Sequence, residues 1–129
     1  MTKHRRTIQD VYAAFAKGDI PTVLGALAPD ARWTEAEGFP YAGTYVGPDA
    51  VLEGVFMRIG TEWDGFAAVP ERLVAEGDTV VAIGEYSGTY KATGKRFAAP
   101  FVHVWDFEGD RVARFTQHTD TVVVGRALS

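Results

Sequence analysis

"AAVPERLVAEGDTVVAIGEYSGTYKATGKRFAAPFVHVWDFEGDRVARFTQHTD" (67–120) decides the fold. Runs rich in Val, Phe, Tyr and Thr are broken by "EGD" (76–78), "KATGK" (91–95) and a second "EGD" (108–110). Each break carries the Gly and polar residues of a hairpin turn, so the stretch reads as successive antiparallel strands. The register of the last hairpin decides which side chains share a face. A three-residue loop at 108–110, with Asp110 in the left-handed conformation, pairs Phe107 with Arg111 and sets His103 opposite Phe115 and Phe101 opposite Gln117. Phe101, His103, Trp105, Phe115 and Gln117 then lie on one face. A two-residue loop pairs His103 with Thr116 and breaks that grouping. The three-residue loop is the expected one, because it gathers the aromatic residues on one side. Thr116, His118 and Asp120 then point the other way, toward solvent or a partner subunit.

The first half has a different texture. In "TIQDVYAAFAK" (7–17), Ile8, Val11, Tyr12 and Phe15 fall at helical spacing, and Gly18 stops the helix. Asp19 caps a second helix, "IPTVLGALA" (20–28), with Pro21 in its first turn. "PDARWTEAEGF" (29–39) reads as a strand with Trp33 and Glu35 on one face and Thr34 on the other. "FPYAGTYVGPD" (39–49) reads as a loop. A third helix from about Asp49 buries Val51, Leu52, Val55, Phe56 and Ile59. The closing "TVVVGRALS" (121–129) is expected to be helical, capped by Asp120 or Thr121. Helices first and a meander afterwards argue for an α+β fold, with helices on one face of a curved sheet.

At 129 residues the chain is expected to form a single domain spanning 1–129. It holds no cysteine, which excludes disulfides, a thiolate nucleophile and Cys-based metal sites. A net charge of −4 without a basic cluster beyond residues 3–6 argues against nucleic-acid binding. No apolar run approaches the roughly 20 residues that cross a bilayer, and no apolar stretch follows the basic start. A cytoplasmic protein with no membrane partner is the expectation. No two candidate ligands show helix-type spacing, so no metal is expected. Aromatic residues make up 12% of the chain, enough to wall an apolar cavity as well as a core.

The order helix, helix, "DARWTEAEG", helix, and then a meander ending "FAAPFVHVWDFEGDRVARFTQHTD", resembles the SnoaL-like and ketosteroid-isomerase-like proteins of the nuclear-transport-factor-2-like superfamily. The resemblance covers roughly residues 7–128. It implies a cone-shaped α+β barrel, in which N-terminal helices pack into a strongly curved, mostly antiparallel sheet around an apolar pocket. It also implies a homodimer; no cofactor is expected, because enolisation or isomerisation of a carbonyl compound is proton transfer. Carried over residue by residue, it puts the general base of ketosteroid isomerases at Glu35 and their oxyanion-facing acid at His103. Their oxyanion tyrosine falls at Val11, with Tyr12 beside it and turned away. SnoaL-type polyketide cyclases place a histidine and an aspartate fourteen residues apart; here the pair is His103 and Gln117, and an amide does not serve as a base. Epoxide-hydrolase-like relatives need an Arg-x-Asp pair where this chain has "EYS" (85–87).

These considerations single out Glu35, His103 and Gln117 as candidate catalytic residues. Trp33, Tyr45, Phe56 and Trp63 are candidate substrate-binding walls, as are Phe66, Tyr86, Phe101 and Phe115. Two readings of Glu35 stand side by side: a base whose pKa is raised at the mouth of an apolar pocket, or a carboxylate on an exposed strand end. His103 is either a donor to a developing oxyanion or a core histidine satisfied by Gln117. Of Glu85 and Tyr86, one looks inward. Three functions follow: enolisation or isomerisation of a small apolar carbonyl compound, ligand binding without turnover, or dimerisation alone.

Overall fold

The structure is a computed structural model that describes residues 2–129. Helix α1 (Thr2–Ala16) begins five residues before the periodic stretch, and its stripe Ile8, Val11, Tyr12 faces the core. Helix α2 (Ile20–Gly25) is capped by Asp19, whose carboxylate accepts from Thr22 N at 3.3 Å. Strand β1 (Leu27–Glu35) starts two residues earlier than expected and ends at Glu35.

The expected loop at 39–49 contains a short edge strand, β2 (Gly43–Val46), which pairs Trp33 with Tyr45. Glycines at positive φ bound it on both sides, so four strand residues carry the signature of a turn. The third helix opens as α3 (Pro48–Val51), widens into a π-helical turn (Leu52–Phe56) and resumes as α4 (Met57–Glu62). Gly54, within the π turn, lies directly under the Tyr45 ring.

Strands β3 (Trp63–Glu76), β4 (Thr79–Tyr90), β5 (Arg96–Glu108) and β6 (Arg111–Thr119) form the meander, followed by helix α5 (Thr121–Ala127). Asp120 caps α5 by accepting from Val123 N at 3.1 Å. The sheet order is β2-β1-β6-β5-β4-β3, antiparallel except for β1 beside β6. The cone is therefore an open sheet with edges at β2 and β3, not a closed barrel. Among the described residues no helix is long and apolar enough to cross a membrane.

The last hairpin corrects the expected register. Glu108 pairs with Arg111, leaving a two-residue turn in which Gly109, not Asp110, takes positive φ (62°). A bulge follows at once: Phe107 pairs with Val112 and Asp106 with Arg114, leaving Ala113 unopposed. His103 therefore faces Gln117, Trp105 faces Phe115, and Phe101 faces Thr119. The short turn and the bulge each shift the register by one residue in the same direction, and a shift of two keeps the expected inward face. Phe101, His103, Trp105, Phe115 and Gln117 are all buried, whereas His118 and Asp120 are exposed.

One glycine admits a close approach of the β3 backbone and the Phe101 ring to β4. A Cβ on Gly84 would collide with the Val69 carbonyl oxygen and lie 2.7 Å from Phe101 Cζ. Gly84→Ala is accordingly expected to destabilise the fold by about 1–3 kcal/mol, the usual range for overpacking. An unchanged denaturant midpoint in the variant would show that β3 can move aside.

Candidate functional site

The inner face of the sheet and the helices enclose a cavity of about 50 Å³. Val11 and Phe15 of α1, Val55 and Phe56 of the π turn and Ile59 of α4 form its helical side, and the strands supply most of the rest. That volume is well below the roughly 300–1,000 Å³ of a drug-sized site. Into this apolar space the fold brings Glu35, His103 and Gln117, the buried charged or amide side chains among the described residues. Each is on a strand rather than a loop. Glu35 ends β1, while His103 and Gln117 are directly paired across β5 and β6.

Gln117 organises one half of the site. Its Oε1 accepts the Ala36 backbone N–H at 2.9 Å, and a backbone donor of this kind fixes which way the amide points. Its Nε2 is thereby aimed at the Tyr86 hydroxyl (2.9 Å) and at Glu35 Oε1 (3.4 Å). Glu35 Oε2 accepts from Trp33 Nε1 at 2.9 Å. Both hydrogen-bond partners of this carboxyl are neutral, and the charged form is poorly solvated. Burial pushes the Glu35 pKa up to about 8, with the Trp33 hydrogen bond pulling the other way.

His103 organises the other half. Its Nδ1 is 2.6 Å from the Tyr12 hydroxyl and its Nε2 is 2.5 Å from the Tyr86 hydroxyl. Trp105 Nε1 donates to the Tyr12 oxygen at 3.1 Å. The Phe101 ring stacks on the imidazole at 4.0 Å. Burial first, and then the charge of His118, drive the His103 pKa down to about 3, so the ring is neutral at ordinary pH. Glu35, Gln117, Tyr86, His103, Tyr12 and Trp105 thus form one continuous chain of hydrogen bonds along the cavity wall.

Of the eight expected wall residues, Trp33, Phe56, Phe66, Tyr86 and Phe115 line the cavity. Three do not. Tyr45 is partly exposed and gives its hydroxyl proton to the Tyr41 carbonyl oxygen. Trp63 donates to the Tyr41 hydroxyl and packs on Phe66, Tyr90 and Phe97 behind the wall. Phe101 is spent on the back of His103. Tyr86 looks inward and Glu85 outward.

The orientation expected for Tyr12 is also corrected: it is 6% exposed and lines the cavity beside Val11. Its place in the stripe with Ile8 and Phe15 carried that signal already, since all three lie at i+3 and i+4 intervals. Phe39, set inside an expected loop, closes the cavity over Tyr86, and only the tertiary fold reveals it. No cluster of three metal-ligating side chains occurs among the described residues.

Comparison with known proteins agrees with this fold. The SnoaL-like domain family matches residues 8–115. An NTF2-like protein of Burkholderia thailandensis superposes with a TM-score of 0.95 at 40% identity, over 98% of this chain and 97% of that one. TerC, co-crystallised with polyporic acid, superposes with a TM-score of 0.88 at 26% identity over 98% of each chain. Patulin synthesis protein F of Aspergillus clavatus is 31% identical over 64 residues. Those residues are 48% of this chain, and the match spans about a third (32%) of that protein's length.

Proposed function

The chain belongs to the SnoaL-like domain family, and from that footing we propose that it is a small-molecule pocket protein working as a cofactor-independent acid–base enzyme. The reaction is of isomerase, cyclase or lyase type, and the substrate is a compact, largely apolar carbonyl compound. One observation carries this reading: a carboxyl group buried beside neutral partners, with its pKa raised to about 8, at the wall of an apolar cavity that two hydrogen-bonded tyrosines also line. A base tuned toward neutral pH can take a proton from carbon next to a carbonyl and return it elsewhere. The developing enolate oxygen is met by a tyrosine hydroxyl, and one preorganised donor in a dry site is worth on the order of 3 kcal/mol. His103 has both nitrogens engaged by those hydroxyls, so it acts as a positioning residue behind them. Gln117 holds Glu35 and Tyr86 at a fixed spacing and transfers no proton.

The test is α-proton exchange of 2-cyclohexen-1-one in D2O, followed by NMR. Exchange is expected to rise about tenfold per pH unit below pH 8 and to level off above it, as Glu35 ionises. A pH-independent rate equal to buffer alone would remove the acid–base reading. Ligand binding without turnover is the second reading, favoured because every polar atom of the site already has a partner within the chain. A homodimer packed through the outer sheet face, where Val81, Ile83, Val102 and Val104 are half-buried, belongs to the same proposal. Sedimentation equilibrium checks it.

A further inference from the structure

The hydrogen bonds around His103 can be counted proton by proton. A neutral imidazole carries one ring proton and the two tyrosine hydroxyls carry one each, which makes three protons for the two Tyr–His hydrogen bonds. The outer neighbours cannot absorb the third. Trp105 Nε1 and Gln117 Nε2 meet the tyrosine oxygens only as donors. When His103 is protonated at Nδ1, it donates to Tyr12, receives from Tyr86, and leaves the Tyr12 hydroxyl proton over. When it is protonated at Nε2, the roles reverse and the Tyr86 hydroxyl proton is left over. Both tyrosines line the cavity, so the leftover proton has a ligand atom as its outlet.

We propose that Tyr12, His103 and Tyr86 form a single-donor selector: the pocket offers a ligand one hydroxyl proton, at Tyr12 or at Tyr86 but never at both, and the His103 tautomer follows the choice. This sets the class of ligand. A compound with one acceptor oxygen satisfies the site. So does one with an acceptor at one tyrosine and a hydroxyl at the other, such as a hydroxyketone or the enol of a dicarbonyl compound. A diketone reaching both hydroxyls leaves one of its oxygens without a donor in a dry cavity, a mismatch of the kind that polar sites reject strongly. The inference rests on the acid–base reading only in calling the ligand a substrate; the count of donors holds equally for a ligand that is bound and not turned over.

The experiment uses the full chain labelled with ¹⁵N-histidine and 2-cyclohexen-1-one, whose oxygen only accepts. The ¹⁵N shifts of the His103 ring report the tautomer, free and bound. The wild-type complex is expected to hold one neutral tautomer. In Tyr12→Phe the ketone must take its proton from Tyr86, which demands the Nε2–H form. In Tyr86→Phe it must take it from Tyr12, which demands the Nδ1–H form. Only the substitution at the tyrosine that donates in the wild-type complex is expected to weaken ketone binding, by up to about tenfold, the scale of one lost hydrogen bond, and the double substitution to abolish it. A merely structural role for the tyrosines would not drive the tautomer in opposite directions. The same tautomer in both variants, an imidazolium in the complex, or no ketone binding to the wild type overturns the selector. If the tautomers reverse as described and α-proton exchange is absent, the acid–base reading fails and the selector stands. Exchange that persists with a fixed tautomer has the opposite meaning.

Discussion

Replacing Glu35 with Gln is expected to lower α-proton exchange by at least about 10²-fold, the lower end of what a positioned base contributes, while ketone affinity stays within about threefold. The amide is a close copy of the protonated carboxyl. It keeps an oxygen for the Trp33 N–H, carries no charge, and leaves the volume of the cavity unchanged. What it lacks is a state that can accept a proton. Its –NH2 group would face the Gln117 amide, but across the long 3.4 Å contact rather than a tight one. Affinity from calorimetry and exchange from NMR on the same samples separate the two effects. Loss of both together would make Glu35 a structural carboxyl, and loss of neither would make it a bystander.

The second large effect is on stability, where Glu35 and His103 act in opposite directions. Glu35 has its pKa raised to about 8 in the fold, against an ordinary value of 4.5, so the folded chain binds the extra proton between those limits. Its contribution is present at low pH and is lost as pH rises through 4.5 to 8. His103 has its pKa lowered from 6.5 to about 3, so the unfolded chain binds the extra proton there. Its contribution is present above pH 6.5 and is lost as pH falls toward 3. Between pH 4.5 and 6.5 the two slopes cancel, and stability from these groups is flat. Above that plateau it is expected to fall by about 2 kcal/mol by pH 8, and below it by a similar amount by pH 3. Glu35→Gln removes one slope only. The variant is expected to gain stability steadily from pH 3 to 6.5, by up to about 5 kcal/mol, and then to hold level. Urea unfolding at half-unit pH steps distinguishes this from a curve that keeps the wild-type plateau.

The elements that bury a regular stripe were legible in the sequence. The α1 periodicity, the Asp19 and Asp120 caps and the three Gly-containing turns needed nothing beyond spacing and turn chemistry. The inward face of β5 and β6 was legible too, although the pairing behind it was not. The bulge at Ala113 adds a second one-residue shift to that of the short turn, and bulges leave no mark on an alternation pattern that resumes on the correct face. Strand β2 was hidden because an edge strand of four residues needs little burial, and its flanking glycines spoke for a loop. In the site, Glu35, His103 and Gln117 could be named because each interrupts an apolar face. Tyr12 was misread when its own periodicity was set aside. The lost walls, Tyr45, Trp63 and Phe101, are large aromatics whose neighbours were decided by strand order and by Tyr41, neither of which local sequence contains.

The parallel pairing of β1 with β6 has a consequence in time. It joins the first strand of the chain to the last, and the bonds that define the site bridge comparable gaps: 82 residues from Glu35 to Gln117 and 91 from Tyr12 to His103. A growing or refolding chain can close the β3–β4 and β4–β5 hairpins early, from neighbours in sequence, and still possess no pocket. Until β6 slides between β1 and β5, Glu35 stands in water as an ordinary acid. Contacts of such long reach form slowly, because the entropy of closing the intervening loop is lost before any contact rewards it. The tuned carboxyl is thus among the last properties that the molecule acquires on its way to the native state.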